Sequence, residues 1–318
     1  MIDPLRLDDA DLARTIPLFK AVFGHEVPKA LLEWKYSKGM GESWGGSGDC
    51  NGELLLHCGL IYRQVVFEGE LHRAAQLVDL MAHRKSSGLS RAQSPFFVLI
   101  KLILSRLQAP ENPYCLAFGF PSERAMRLGE HLGVFRSIDS LFDLVFETKD
   151  ASWHVPKCHE VGAAEALSTV DELWSRMRRG FRDCSIGSRD AGYFSHRFLS
   201  HPSKPYRLLL VKGRLFGRIA GLAVVRDHGE GNLALIDLLS SFNDIPDIFR
   251  AVQSWSRLNS YRNLIFSVTS RFAREFEPCA TEMRSTEFRI MANPFTDASV
   301  LSRLENNWWL TSGDTDYR

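Results

Sequence analysis

Apolar positions at helical spacing open the chain. Leu12, Ile16, Phe19, Val22 and Phe23 predict an amphipathic helix over Asp8–Phe23. Ala30, Leu31, Leu32, Trp34 and Tyr36 predict a short second helix after Pro28. Gly39–Asn51 is rich in Gly and Ser and reads as a flexible loop, with Trp44 either a lid residue or packed on the surface. Leu54–Tyr62 and Arg63–Phe67 then read as strands, and Glu68-Gly69-Glu70 as the turn before a strand over Leu71–Ala75. A buried strand over Gln76–His83 follows. It leads into a small basic loop, Arg84–Gln93, and a helix from Ser94-Pro95 through Phe96, Leu99, Ile100, Ile103, Leu104 and Leu107. The strand Cys115–Phe120 passes through Pro121-Ser122 into a helix that ends at Leu132-Gly133.

The second half repeats this order. Trp153–Cys158 reads as a linker, and helices are predicted over Ala163–Phe181 and Arg189–Leu199, the latter stopped by His201-Pro202. Strands follow over Tyr206–Val211, Phe216–Arg226 and Leu233–Leu239, with a helix over Ile245–Leu258. Next come a strand over Leu264–Val268, a helix over Phe272–Met283, a strand over Phe288–Met291 and a last strand at Trp308–Thr311. The repeated order points to a structural duplication: domains over residues 1–150 and 151–318, each α/β with a mixed, mostly antiparallel sheet flanked by helices.

Composition agrees with two folded domains. The 318 residues are 45% hydrophobic and 24% charged, enough for large cores. Lys plus Arg number 39 and Asp plus Glu 38, a formal net charge of +1, so no global field invites nucleic acid. Six scattered Cys without a CxxC pair suit reduced thiols and no metal site. Early Asp residues (Asp3, Asp8, Asp9, Asp11) rule out a signal peptide pattern over residues 1–20. No apolar run reaches the ~18 residues of a membrane helix. A cytoplasmic protein, monomer or homodimer, is the expectation.

The basic loop carries the chemistry. A helix N-terminus offers unpaired amides and a positive dipole end, and small residues before it let those amides approach an anion. Ser86, Ser87, Gly88 and Ser90 are small, while Arg84, Lys85 and Arg91 add charge. Ser94 suits an N-cap and Pro95 a first helical position. The alternative is an ordinary strand-to-helix loop with surface charges.

The order of elements resembles the GNAT acyltransferase superfamily over residues 5–147. Val78–His83 is similar to that family's fourth strand, residues 84–94 to its acyl-CoA pyrophosphate loop, and Phe118–Phe135 to its fifth strand and following helix. The loop departs from the family spacing: Lys85-Ser86-Ser87-Gly88-Leu89-Ser90 precedes a helix start at Ser94, which implies a wider or shifted cradle. The doubled order resembles tandem GNAT proteins such as the Fem-type aminoacyltransferases and N-myristoyltransferases. The ending Trp308–Asp316 resembles tails of bacterial tandem GNAT proteins encoded with surface-polysaccharide genes.

The resemblance implies an acetyl-CoA or other acyl-CoA substrate bound by Leu80, Met81, Ala82, Ser87, Gly88, Leu89, Ser90, Arg91, Phe118 and Ser122, with no metal. It implies direct attack by an acceptor amine on the thioester, with a base, an acid and an amide from Met81 or Ala82 polarising the carbonyl. Asp79, His83 and Glu123 are the candidate bases. Asp79 interrupts an apolar strand, so it is either paired or facing a cleft. Ser122 is the candidate proton donor to the thiolate, or an N-cap. His57 and Tyr62 lie in or beside the strand pair, and Asp237 sits in the matching strand of the second half. That half lacks the basic loop: Ser240–Pro246 follows its strand, with Asp244 unsuited to a pyrophosphate. The first half is therefore the acyl-CoA candidate, and the second is degenerate, shaping the acceptor pocket or bracing the first.

The expected function is acyl transfer, most simply acetyl transfer, to the amine of a small molecule or amino sugar. The alternatives are a catalytically degenerate GNAT-fold binding or scaffold protein, or a Fem-type aminoacyltransferase, which would want a long helical arm. Gly88→Glu should abolish acyl-CoA binding by blocking the amide cradle, measured by calorimetry; unchanged affinity would move the site elsewhere.

Overall fold

The computed structural model describes residues 3–47, 53–84, 94–110, 113–149, 155–213, 218–293 and 298–315, apart from the side chains of Arg124 and Ala298. The chain divides into two compact units. The first takes in Met1–Gln64, His72–Ser137 and Ile290–Leu301, and the second Val65–Leu71, Ile138–Arg289 and Ser302–Arg318. Each unit thus draws on several segments, where the sequence suggested one division near residue 150.

In the first unit, β1 (Asp3–Leu7) leads through a 3-10 turn to α1 (Thr15–Phe23) and α2 (Lys29–Tyr36). Then come β2 (Gly41–Ser47), β3 (Leu54–Phe67) and β4 (Glu70–Ala82). The helix α3 (Pro95–Leu107) crosses to β5 (Leu116–Gly119), and α4 (Glu123–His131) follows. The strand order is β1-β2-β3-β4-β5, with the end of β13 (Glu282–Ala292) antiparallel to β5 at Met291 and Ala292. The β4–β5 pair is parallel, which requires the α3 crossover. Two cores cover the faces. Leu7, Leu12, Leu18, Leu32 and Met81 meet under α1 and α2, and Leu60, Leu77, Ile100, Ile103 and Met126 under α3 and α4.

The stretch expected as a flexible loop over Gly39–Asn51 is β2 across Gly41–Ser47, and almost all of it is buried. Its glycines serve contact, not mobility. A Cβ on Gly41 would overlap the carbonyl oxygen of Leu60 on β3, and one on Gly45 would lie 2.9 Å from Leu54 Cδ2. Trp44 is neither lid nor surface residue: it is buried in β2, and its Nε1 donates to Glu42 Oε2 at 3.0 Å. The pairs of strands expected over 54–67 and 71–83 are single strands, β3 and β4, with the predicted turn between them.

The second unit contains β6 (Arg136–Glu147) and β7 (Lys157–Val161), then α5 (Ala163–Gly180), the short β8 (Ser185–Gly187) and α6 (Ala191–Phe194), extended by a π turn over Ser195–Leu199. The strands β9 (Arg207–Lys212), β10 (Ile219–Gly229) and β11 (Asn232–Ser240) form a meander, and α7 (Ile245–Leu258) crosses to β12 (Asn263–Thr269). Then come α8 (Ser270–Phe276), β13, α9 (Ala298–Leu304), assigned in part to each unit, and β14 (Trp308–Trp309). The strand order is β6-β12-β11-β10-β9-β7, and β11–β12 is again the parallel pair. Helix, helix, meander, crossover helix, parallel strand, helix: both units run in that order, so the duplication seen in the sequence is present in the fold.

Smaller expectations need correction. The linker ends earlier than Cys158, because residues 157–161 pair with β9. The helix over Phe272–Met283 stops at Phe276; a 3-10 turn around Pro278 follows, and β13 begins at Glu282. Gly41→Ala should destabilise the first unit by about 1–3 kcal/mol through overpacking, read as a lower urea midpoint; an unchanged midpoint would show that β3 yields at Leu60.

Candidate functional site

The first unit opens a cleft beside β4 beyond the end of β5. The two strands pair only through Ala74–Gln76 and Leu116–Phe118, and Gly119 lies so close to Leu77 that a Cβ would stand 2.9 Å from its carbonyl oxygen. β4 then runs on to Ala82. Between it and the helices lies a cavity of about 250 Å³. Leu80 and Ala82 line it from β4, Phe96 and Ile100 from α3, and Pro121 and Ala125 from the start of α4.

The helix starts behave as the sequence predicts in part. Ser94 caps α3, accepting from the Phe97 amide at 3.3 Å, with Pro95 at the first position. Ser122 holds the N-cap position of α4 with extended backbone, but its hydroxyl makes no capping bond. Glu123 is exposed and pairs with Arg127 at 2.6 Å. His83 is half-buried, and its amide donates to the Leu55 carbonyl at 2.8 Å. Phe118 is buried in β5, and Met81 points to the core on the opposite face of the sheet from the cavity. Ser87, Gly88, Leu89, Ser90 and Arg91 lie outside the described residues.

Asp79 is the best-tied residue of the site. It has φ of +48° inside β4, a left-handed kink in mid-strand. Lys35 Nζ lies 2.8 and 2.9 Å from its two carboxylate oxygens, and the Tyr36 hydroxyl donates to it at 2.5 Å. Its own carbonyl accepts from His57 Nδ1 at 2.8 Å. A carbonyl only accepts, so Nδ1 carries the proton; Nε2 is then free to accept from Ser43 Oγ at 2.9 Å. Burial opposes ionisation of Asp79, but the Lys35 charge and the bonds from Lys35 and Tyr36 outweigh it and hold the carboxyl below its usual range. The sequence offered a paired or a cleft-facing Asp79, and the side chain is paired. It did not single out Lys35 or Tyr36. The available signal was Leu32, Lys35 and Tyr36 at i, i+3, i+4 spacing, which puts a lysine on the buried face of α2.

The second unit repeats the arrangement in altered form. Asp237 lies beside a bulge in β11, where Val224 faces Asp237 and Val225 faces Leu235. Arg189 Nε donates to both Asp237 oxygens at 3.1 and 3.0 Å, and Arg189 Nη2 to Asp314 Oδ2 at 2.7 Å. Burial pushes the Asp237 carboxyl up; Arg189 opposes this, while Asp314 adds to it. Here the gap between the parallel strands is filled. Val268 bridges to Thr311, whose hydroxyl donates to Asp237 Oδ1 at 3.1 Å. A Cβ on Gly313 would sit 2.8 Å from Asp237 Oδ2. Arg197 Nε donates to the Gly313 carbonyl at 2.8 Å and Arg197 Nη2 to that of Thr315 at 3.0 Å. The segment Leu310–Thr315 therefore occupies the second cleft.

The doubled β-meander, each copy closed by a parallel strand pair, aligns with known structures. A probable N-acyltransferase of unknown function from Enterococcus faecalis aligns with a TM-score of 0.73 at 13% identity, over 96% of this chain and 74% of that one.

This is a tandem GNAT fold.

A GCN5-related N-acetyltransferase from Kribbella flavida aligns at 0.67 and 13% identity, over 92% of this chain and 70% of that one. The N-myristoyltransferase of Saccharomyces cerevisiae, solved with bound myristoyl-CoA, aligns at 0.59 and 10% identity, over 92% and 82%. No family model and no curated protein sequence matches the chain. The GNAT likeness thus lives in the backbone. Among the described residues no helix is long and apolar enough to cross a membrane.

The buried His57 gives the first unit a pH signature. Burial pushes its pKa down; the Asp79 carbonyl and charge oppose this, and the Lys35 charge adds to it. The unfolded chain takes up a proton near pH 6.5, while the folded imidazole resists, so stability falls as pH drops below about 6.5, by up to about 1.4 kcal/mol per pH unit. That loss stops once the lower folded-state pKa is passed. His57→Asn, which keeps a donor to the Asp79 carbonyl, should flatten the slope; urea unfolding across this range checks it, and an identical slope would remove His57 as its source.

Proposed function

We propose that the first unit binds an acyl-CoA in the β4–β5 cleft and transfers its acyl group to the amine of a small molecule or amino sugar. The apolar cavity beside β4 beyond the end of β5, directly after the Asp79 kink, carries this reading. In this reading the Leu80–Ala82 stretch, beyond the residues of β4 paired with β5, supplies amides for the pantetheine arm and for the thioester carbonyl. The start of α3, capped by Ser94, suits the diphosphate.

In the transfer, the amine lone pair attacks the thioester carbonyl carbon. The carbon–sulfur bond breaks, and its electron pair leaves on the thiolate. In this reading the Ser122 hydroxyl, unused in capping, protonates that sulfur, and His83 at the end of β4 takes the proton released by the attacking nitrogen. Glu123 is the second candidate base, with its Arg127 partner to be displaced. The ion pair of Asp79 with Lys35 speaks for a positioning role rather than proton transfer. The second unit, its cleft filled by Leu310–Thr315, does not bind acyl-CoA in this reading.

Calorimetry with acetyl-CoA and longer acyl-CoAs, followed by thiol release with a panel of amines, tests the proposal. Ala125→Trp places a ring in the cavity from an exposed position and should lower acyl-CoA affinity at least tenfold with unfolding unchanged. Absence of binding to the wild-type protein would overturn the reading. Binding without thiol release would leave a carrier or sensor.

A further inference from the structure

We propose that Lys35, Tyr36 and His57 are positioning residues that hold the Asp79 backbone left-handed, so that β4 turns its Leu80–Ala82 edge toward an acyl thioester. The inference rests on the acyl-CoA reading above and goes beyond it by assigning work to three buried side chains.

The argument begins with strain. A residue with a Cβ in the left-handed region is disfavoured, and inside a strand it also interrupts the ladder. Such a conformation persists when the surroundings over-determine it. Here both ends of one residue are tied. The carboxylate is gripped by Lys35 and Tyr36 from the end of α2, and the carbonyl by His57 from β3. The grip is rigid. A Cβ on Gly59, next to Cys58 on β3, would overlap the Tyr36 ring, so the backbone there is bare where the tyrosine crosses it. Ser43 in turn holds the outer nitrogen of His57. Immediately after the kink, Leu80 and Ala82 line the cavity.

The second unit supplies the contrast. Asp237 occupies the matching strand and also meets a buried cation, yet it is not among the described residues with positive φ. Its cleft is closed by the tail. An ion pair that served stability alone would not need the left-handed turn, and that turn is found in the unit whose cleft is open.

The test compares Asp79→Gly with Asp79→Ala. Both remove the carboxylate and leave Lys35 equally exposed to its loss; only alanine is penalised at φ of +48°. Two readouts are taken: hydrogen exchange at the Leu80, Met81 and Ala82 amides, and acetyl-CoA affinity by calorimetry. The alanine variant should exchange about tenfold faster at these amides than the glycine variant and bind acetyl-CoA about tenfold more weakly. Arg189→Met in the second unit should lower the unfolding midpoint while leaving both readouts unchanged. Equal exchange and equal affinity in the glycine and alanine variants would overturn the proposal, and equal loss of turnover with unchanged exchange would make Asp79 a base instead. If either variant fails to fold, Tyr36→Phe, which keeps the Lys35 pair, should still speed exchange at Leu80–Ala82; no change there overturns the idea. A wild-type protein that binds no acyl-CoA sinks the acyl-CoA reading, while the exchange comparison still judges the clamp.

Discussion

A carboxylate taken out of water inside a sheet must find a cation and donors, or give up its charge. Both units of this chain are built around such a carboxylate at the same place in the fold. Asp79 of β4 meets Lys35, and Asp237 of β11 meets Arg189. Lys35 comes from α2, and Arg189 from the residues between β8 and the start of α6. The pair therefore fixes how helix and sheet face one another within the unit. Loss of one partner would leave the other buried and unanswered, so the two positions have to be kept together or lost together.

From that shared device the two units diverge. In the first, tyrosine and histidine complete the ring around Asp79, and the strand kinks before it lines a cavity. In the second, the Thr311 hydroxyl and the Leu238 amide donate to Asp237, and Arg189 serves both Asp237 and Asp314. An open cleft and a closed one follow from what finishes the coordination of the buried charge. The difference is one of local chemistry on a common backbone plan. It is also why a GNAT fold in both halves does not by itself imply two ligand sites.

Much of the plan was legible in the sequence because the hydrophobic period changes cleanly from helical to alternating. The α3 helix, with Ser94 and Pro95 at its start, was readable from Phe96 to Leu107, and the parallel strand pair from the long helix between its members. The repeat of the order in the second half was visible without shared residues. What escaped was β2, because composition that signals loops also permits close strand packing at Gly41 and Gly45. The strands β1 and β8 and helix α9 escaped as well, being too short for periodicity to register, and so did β6, whose Arg136, Asp139 and Asp143 interrupt its apolar run. Asp79 stood out as a charge in an apolar run, and Asp237 as its counterpart. Their partners did not, since Lys35 is 44 residues away from Asp79 and contact at that range leaves no local mark.

The tail contact of the second unit also sets a timetable. Arg189 precedes Asp314 by 125 residues. The first 48 of these residues reach Asp237; at a ribosomal pace of about 5–20 residues per second, the nascent chain then spends roughly 4 to 15 seconds with Arg189 and Asp237 made and Asp314 still to come. During that interval Asp237 can hold the guanidinium alone, but the groove beside it stands without its plug. The second unit therefore matures late, and whatever guards nascent chains has that window in which to meet its bare parallel strands.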